Sequence, residues 1–140
     1  MLDAISATDI AASGLKVQRL RMNIIANNIA NAETTRTEGG GGAFRRQLTI
    51  LRGEQIRLGA NPERLGVRVK RVEDDPSPMR HVYDPGHPDA DVDGYVTYPN
   101  IDLMAEMVNL ISAQRAYEAN IAVVVSGKQM KQRALEIIQR

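Results

Sequence analysis

The residues of this chain best suited to chemistry lie between positions 81 and 94. Asp89, Asp91, Asp93 and Gly94 spell D-x-D-x-D-G, the opening of a calcium-binding EF-hand loop, and Val96 fits its apolar eighth position. The twelfth position is Asn100, where a bidentate Glu is needed, and Pro85 and Pro88 preclude an entering helix. The segment therefore reads as an Asp-rich turn. His81, Asp84, His87 and Asp89 could in principle ligate a divalent metal or form an acid/base pair. Two histidines six apart in a proline-broken segment have no regular element to aim them at one ion, so they read as exposed or turn-capping. The glycine run at 39–42 is followed by Ala43-Phe44 rather than Gly-Lys-Ser/Thr, so it reads as a connector and not a phosphate loop. The chain has no cysteine and no G-x-S-x-G elbow. No catalytic residue, cofactor or metal site is assigned, and an enzyme is not expected.

The elements around that segment are more informative. Ala4, Thr8, Ala11, Leu15, Gln18, Met22, Ile25, Ile29 and Ala32 recur in steps of four and three, with Ile5 and Ala12 widening the stripe. Ser6 and Asp9 fit a capping box and Ile5 and Ile10 a hydrophobic staple, predicting a helix start near Ala7. A second stripe runs Leu103, Met107, Leu110, Gln114, Tyr117, Ile121 and Val124, with Met104, Val108 and Ile111 alongside. Past Gly127 the apolar pattern moves one residue back, to Met130, Ala134 and Ile137, predicting a bend or local unwinding near Ser126 and Gly127. The two helices would be about 38 and 57 Å long, too long to fold back inside one small globule.

The strongest motif is Asn23-Ile-Ile-Ala-Asn27-Asn28-Ile-Ala-Asn31. Asn23, Asn27 and Asn31 lie four apart and form an amide ladder beside the apolar stripe. Each costs a helix a few tenths of a kcal/mol relative to Ala, roughly, so a compensating role is expected. One reading is that the amides fix register against identical or related helices. The other is that Asn31 ends the helix and the rest are exposed.

Between the helices the chain reads as strands and turns. Residues 43–51 and 66–72 alternate apolar and basic side chains, and 80–83 and 95–98 are short candidates, together predicting a small antiparallel sheet. Turns are signalled at 39–42, Asn61-Pro62, 76–78 and Asp84-Pro85-Gly86. Net charge is +1, yet residues 36–71 hold nine basic and three acidic side chains while 73–93 hold seven acidic and one basic, formally +6 then −6. Either these are two solvated surfaces, or neighbouring copies attract head to tail, a contact type that generates helical arrays. Nucleic acid is a poor partner, since the basic half lacks interleaved aromatics beyond Phe44 and the acidic half repels phosphate.

A chain of 140 residues supports one ordinary domain or two small units, and a helix pair with a small sheet is a thin core. Association is the expected remedy. No apolar run approaches the ~18 residues of a membrane-spanning helix, and the start MLDAISATDIAASG has neither a basic n-region nor an h-region, so no cleaved signal peptide is expected. The expected class is α + β: long N- and C-terminal helices packed as a coiled-coil-like layer, with a β-rich insert between them. Residues 1–35 and 100–140 would form a discontinuous helical domain and 36–99 the insert.

Ser13-Gly14-Leu15, Gln18, Met22-Asn23 and Ala26-Asn27-Asn28-Ile29-Ala30-Asn31 resemble the N-terminal signature of the bacterial flagellar axial rod and hook proteins. Tyr83-Asp84-Pro85, His87-Pro88, Ala90-Asp91, Gly94-Tyr95-Val96 and Pro99-Asn100 resemble a proximal rod member, as do Glu106-Met107-Val108-Asn109, Ile111, Ala113, Arg115 and Tyr117-Glu118-Ala119-Asn120. A sister such as FlgB would share the asparagine motif without the 84–100 signature; a non-flagellar coiled-coil adaptor would pair its helices in the free monomer. The resemblance implies a structural rod subunit that transmits torque and surrounds an export lumen. It implies export through the flagellar type III apparatus and assembly in the periplasm with copies of itself and with FlgB, FlgF, FlgG and FliE. The candidate subunit-interface residues are Leu15, Met22, Asn23, Ile25, Asn27, Asn28, Ile29 and Asn31 on the first helix. On the second they are Met107, Leu110, Ile111, Tyr117, Asn120 and Ile121.

Overall fold

The computed structural model describes residues 2–55 and 65–138; the turn read at Asn61-Pro62 lies outside them. Helices α1 (Leu2–Ala30) and α2 (Leu103–Ile138) enclose strands β1 (Gln47–Gln55), β2 (Leu65–Asp74), β3 (Arg80–Tyr83) and β4 (Tyr95–Tyr98). The class is α + β, with the elements in the expected order.

Helix α1 begins at Leu2 rather than near Ala7, so position 6 lies within the helix and not at its start. No Gly or Pro interrupts residues 2–13, and ordinary helix propensity carries through the capping-box pattern. The entry to α2 is capped by Asp102, whose Oδ1 accepts from the backbone N–H groups of Met104 (2.9 Å) and Ala105 (3.3 Å). Helix α2 then runs without interruption through Ser126 and Gly127, where local unwinding had been expected.

The reason lies in which residues face inward. Gly14 meets Asn120, and Asn28 meets Glu106, so the helices run antiparallel. Along α2 the inward positions are Glu106, Ala113, Asn120, Gly127 and Ala134, seven apart throughout. This seam of small and polar residues does not slip at Gly127; only the large apolar residues change register there. On α1 the buried side comprises Ala11, Gly14, Val17, Ile25 and Asn28. The apolar stripe marked Leu15, Ile29, Met107, Gln114 and Ile121 as inward, whereas the first two are half-buried and the other three exposed. Despite their length the helices do fold back on one another within the chain, as an extended hairpin.

The insert is two separate two-stranded ribbons, not one sheet. Strands β1 and β2 pair antiparallel from Gln47↔Asp74 to Gln55↔Leu65, with an irregularity between Ile50 and Leu51. Strands β3 and β4 pair from Arg80↔Tyr98 to Tyr83↔Tyr95. The β1–β2 ribbon lies along α1 and is fastened at two points. Ser13 Oγ accepts from the Val67 N–H at 3.2 Å, and the Asn28 amide holds Gln47. Ser13 and Asn28 are separated by about 22 Å of helix. Gln47 and Gly53, the partner of Val67, are separated by about 20 Å of strand. The helix thus measures out the ribbon.

Candidate functional site: a polar junction and an apolar outer face

Among the described residues the buried apolar side chains are small or medium, Ala11, Val17, Ile25, Ala32, Val96, Pro99 and Ala113, and the buried polar ones are Asn28, Asp75 and Glu106. The polar ones belong to one network. Glu106, 1% exposed, sits in the first turns of α2 with no water to solvate its carboxylate. Its Oε1 accepts from Arg46 Nε (2.9 Å) and Nη2 (2.6 Å), and its Oε2 from Asn28 Nδ2 (3.1 Å). Asn28 is fully buried; its Nδ2 also donates to the Gln47 carbonyl (2.9 Å) while its Oδ1 accepts from the Gln47 N–H (2.9 Å). That two-way exchange copies a strand-to-strand pairing, so the side chain of a helix residue starts β1.

Arg46 extends the network into the insert. Its Nη1 donates to Asp75 Oδ2 at 2.9 Å, and its backbone N–H donates to Asn100 Oδ1 at 2.9 Å. Asn100 in turn donates to the carbonyls of Asp75 and Ser77. Burial opposes the guanidinium charge of Arg46, but its bonds to Glu106 and Asp75 outweigh that and raise its pKa above the ordinary arginine value. The Ser77 hydroxyl and N–H, with Arg46, lower the Asp75 carboxyl to about 2. Desolvating Glu106 costs several kcal/mol, roughly, which the Arg46 guanidinium and the Asn28 amide offset. No buried side-chain polar atom among the described residues lacks a partner. One junction therefore ties α1, α2, β1 and the segments around Asp75 and Asn100 together.

The outward side of α2 is the reverse. Met104, Met107, Val108, Ile111, Ile121, Val123, Val125, Met130, Leu135 and Ile137 are exposed, between 40% and 75%. The whole chain exposes 9852 Å² at 15.4 kDa, where a compact monomer of that mass exposes about 7,200 Å². Apolar surface of this extent along one helix marks an interaction face.

The candidate interface residues divide accordingly. Ile25 and Asn28 are buried inside the chain, and Asn120 packs over Gly14, so these three make intramolecular contacts. Leu15, Met22, Ile29, Leu110 and Tyr117 are half-buried; Asn23, Asn27, Met107, Ile111 and Ile121 are exposed. Within the asparagine ladder, Asn31 Nδ2 donates to the Asn27 carbonyl (2.9 Å) and to Asn27 Oδ1 (3.1 Å), closing the end of α1. Asn27 Nδ2 also reaches Gln47 Oε1 at 3.4 Å. The sequence reading missed Arg46 and the network roles of Glu106 and Asp75. Only Glu106 carried a signal, standing seven residues before Ala113 and fourteen before Asn120.

The possible metal ligands are otherwise engaged. Asp89 accepts from Thr35 Oγ1 (2.7 Å) and pairs with Arg36 (2.7 Å). Asp91 Oδ1 caps the turn through the N–H groups of Asp93 and Tyr95, and Asp84 Oδ1 accepts from the Gly86 N–H. His87 Nδ1 accepts from the Asp89 N–H, while His81 Nδ1 bonds Thr97 Oγ1. Gly94, at φ 82°, lies under the Tyr83 ring, where a Cβ would come within 2.8 Å of it. The cluster is a hairpin turn. Among the described residues no helix is long and apolar enough to cross a membrane.

Comparison with known proteins agrees with this architecture. Residues 9–36 match the family described as flagella basal body rod protein, and residues 92–137 the one described as flagellar basal body rod FlgEFG protein C-terminal. The chain is 44% identical to the flagellar basal-body rod protein FlgC of Borreliella burgdorferi, over 96% of this chain and 97% of that one. It is 37% identical to FlgC of Bacillus subtilis (97% and 99% covered) and 39% identical to FlgC of Salmonella typhimurium (94% and 95%). The first matched segment contains Ser13, Gly14 and Asn28, and the second contains Glu106, Ala113, Asn120 and Gly127, so the family match falls on the seam and junction of the helical hairpin. The chain belongs to the FlgC family of flagellar basal-body rod proteins, which are structural subunits of the flagellum and not enzymes.

Proposed function

We propose that the helical hairpin packs into the wall of the proximal rod through the outward face of α2, transmitting torque along the shaft and surrounding an export lumen. Carrying this reading is the run of large apolar residues left uncovered on α2 while small residues occupy its inward seam. Met107, Ile111 and Ile121, with Asn23 and Asn27 on α1, are the exposed members of the proposed interface. Leu15, Met22, Ile29, Asn31, Leu110 and Tyr117 border it. The partners are copies of the chain and the rod proteins FlgB, FlgF, FlgG and FliE, reached after export by the flagellar type III apparatus and met in the periplasm. Residues 1–35 and 100–140 act as the inner helical layer and 36–99 as the outer one.

Replacing Met107 and Ile111 together by Asp tests the reading. Both side chains are exposed, so the chain should fold and be exported, whereas burying two unpaired charges between subunits costs several kcal/mol, roughly, at every contact. Exported chain with no assembled rods by electron microscopy is expected. Wild-type rod numbers and swimming would refute the assignment of this face.

A further inference from the structure

The two ribbons carry opposite unpaired charges at opposite ends of α1. On β1–β2, Arg52 and Arg68 are direct cross-strand partners, an arrangement that destabilises an isolated ribbon. Arg68 pairs with Glu54 at 3.0 Å, but Arg52 and the exposed Lys70, which the strand irregularity leaves without a cross-strand partner, meet no anion among the described residues. Leu51 and Val72 are exposed on the other side of the ribbon from Arg52. This basic stretch lies near Ser13, which bonds Val67. The β3–β4 hairpin is fastened instead beyond the other end of α1, where Thr35 and Arg36 hold Asp89. At its turn the Asp93 carboxylate is exposed and has no partner among the described residues, Val92 is 102% exposed, and the Tyr83 and Tyr95 rings meet edge to face at the surface.

About 25 Å of helix separates Ser13 from the end of α1, so the two charged surfaces cannot meet within one chain. We propose that the basic face of the β1–β2 ribbon, around Arg52 and Lys70, receives the acidic, apolar-tipped β3–β4 hairpin of a second copy of this chain. Charge complementarity selects that occupant. The two surfaces differ, so the contact is heterologous: it leaves a free hairpin and a free ribbon after each addition and propagates instead of closing a dimer. This contact rests on the rod-subunit reading above, but involves the insert and none of the α2 face.

The chain has no cysteine, which makes the contact directly testable. Basal bodies are purified from cells whose only copy carries Lys70→Cys with Asp93→Cys, and are then oxidised and separated by mass under denaturing conditions. Disulfide-linked multiples of the chain are expected from the double variant. They should be lost in either single variant, because Lys70 does not meet Lys70 in a heterologous contact. A cross-link only to a protein of different mass, or no cross-link from basal bodies that contain the chain, would overturn the second-copy assignment and leave the rod-subunit reading standing. If the double variant fails to enter basal bodies that take up the wild-type chain, the charge-reversal pair decides: restoration by Asp93→Lys supports the contact and no restoration overturns it; if the Met107/Ile111 variant assembles normally, the rod-subunit reading falls separately. Charge reversal gives an independent check: Arg52→Glu with Lys70→Glu should reduce rod number, and Asp93→Lys in the same chain should restore part of the loss. No loss on reversal would count against the contact.

Discussion

The two sides of α2 invert the usual arrangement of a soluble helix. Its inward seam is Glu106, Ala113, Asn120, Gly127 and Ala134, while its outward side carries the methionines, valines and isoleucines. A self-sufficient protein places large apolar groups inside, because they supply most of its stability. Here small residues let two long helices approach closely, polar ones fix their register, and the apolar groups remain uncovered. The lesson is a division of labour: the seam determines the shape of the subunit, and the outer face is left free for the contacts proposed above.

Adjacent residues on these two sides give the largest expected contrast. Glu106→Ala removes a buried acceptor and leaves the Arg46 guanidinium and the Asn28 amide facing a void, at about 3 to 5 kcal/mol. In a chain with so few buried apolar side chains that should abolish cooperative folding. Met107→Ser, one position along, should change the stability of the isolated chain by no more than ~0.5 kcal/mol. Urea unfolding followed by circular dichroism measures both. Similar midpoints for the two variants would show that the junction does not hold the hairpin together.

A smaller effect probes the seam at its closest approach. A Cβ on Gly14 would stand 2.8 Å from Asn120 Nδ2 and 3.0 Å from Oδ1, and Asn120 is itself held by a 2.9 Å bond to the Ala116 carbonyl. Gly14→Ala gains ~1 kcal/mol of helix propensity and loses about 1 to 3 kcal/mol to overpacking. A net destabilisation of about 1 kcal/mol is expected. Adding Asn120→Ala removes the obstruction, so the double variant should recover the propensity gain, and the two changes should be strongly non-additive. Additive effects, or a Gly14→Ala chain more stable than wild type, would show that the helices do not touch there.

Such a seam explains what the sequence could and could not disclose. Both helices and the strands at 80–83 and 95–98 were legible because caps, turns and periodicity are local signals. The inward face was displaced by a residue because apolar periodicity was taken to mark the interior, and on α2 the large apolar residues lie mostly on the exterior. The seven-residue spacing from Glu106 to Gly127 was present in the sequence, but small and polar residues do not register as a hydrophobic stripe. Asn23, Asn27 and Asn31 drew attention by their four-residue spacing, whereas the buried amide is Asn28, whose partners lie 19 and 78 residues away. Arg46 could not be told from the other basic residues around it, since only tertiary contact distinguishes a paired, half-buried guanidinium from a solvated one. The division of the insert into two ribbons likewise depended on α1, whose Ser13 and Asn28 claim one of them.

Acid should weaken the junction gradually. Asp75 titrates at about 2 in the folded chain against an ordinary value of 3.8, because its ionised form accepts from the Ser77 hydroxyl and N–H and from Arg46. A carboxyl with a depressed folded-state pKa binds protons more readily when unfolded. Its contribution is therefore fully present above the unfolded pKa, near 4, and is lost as pH falls from there through the folded value near 2. Between pH 5 and 7 Asp75 should contribute no slope to stability. Asp75→Asn should lower stability across that neutral range and flatten the decline between pH 4 and 2 relative to wild type, since Asn cannot lose a charge. Urea midpoints at half-unit intervals from pH 2 to 7 measure the difference, and parallel curves for the two proteins over the acid range would show that the Asp75 carboxylate is not held by Ser77 and Arg46 in solution.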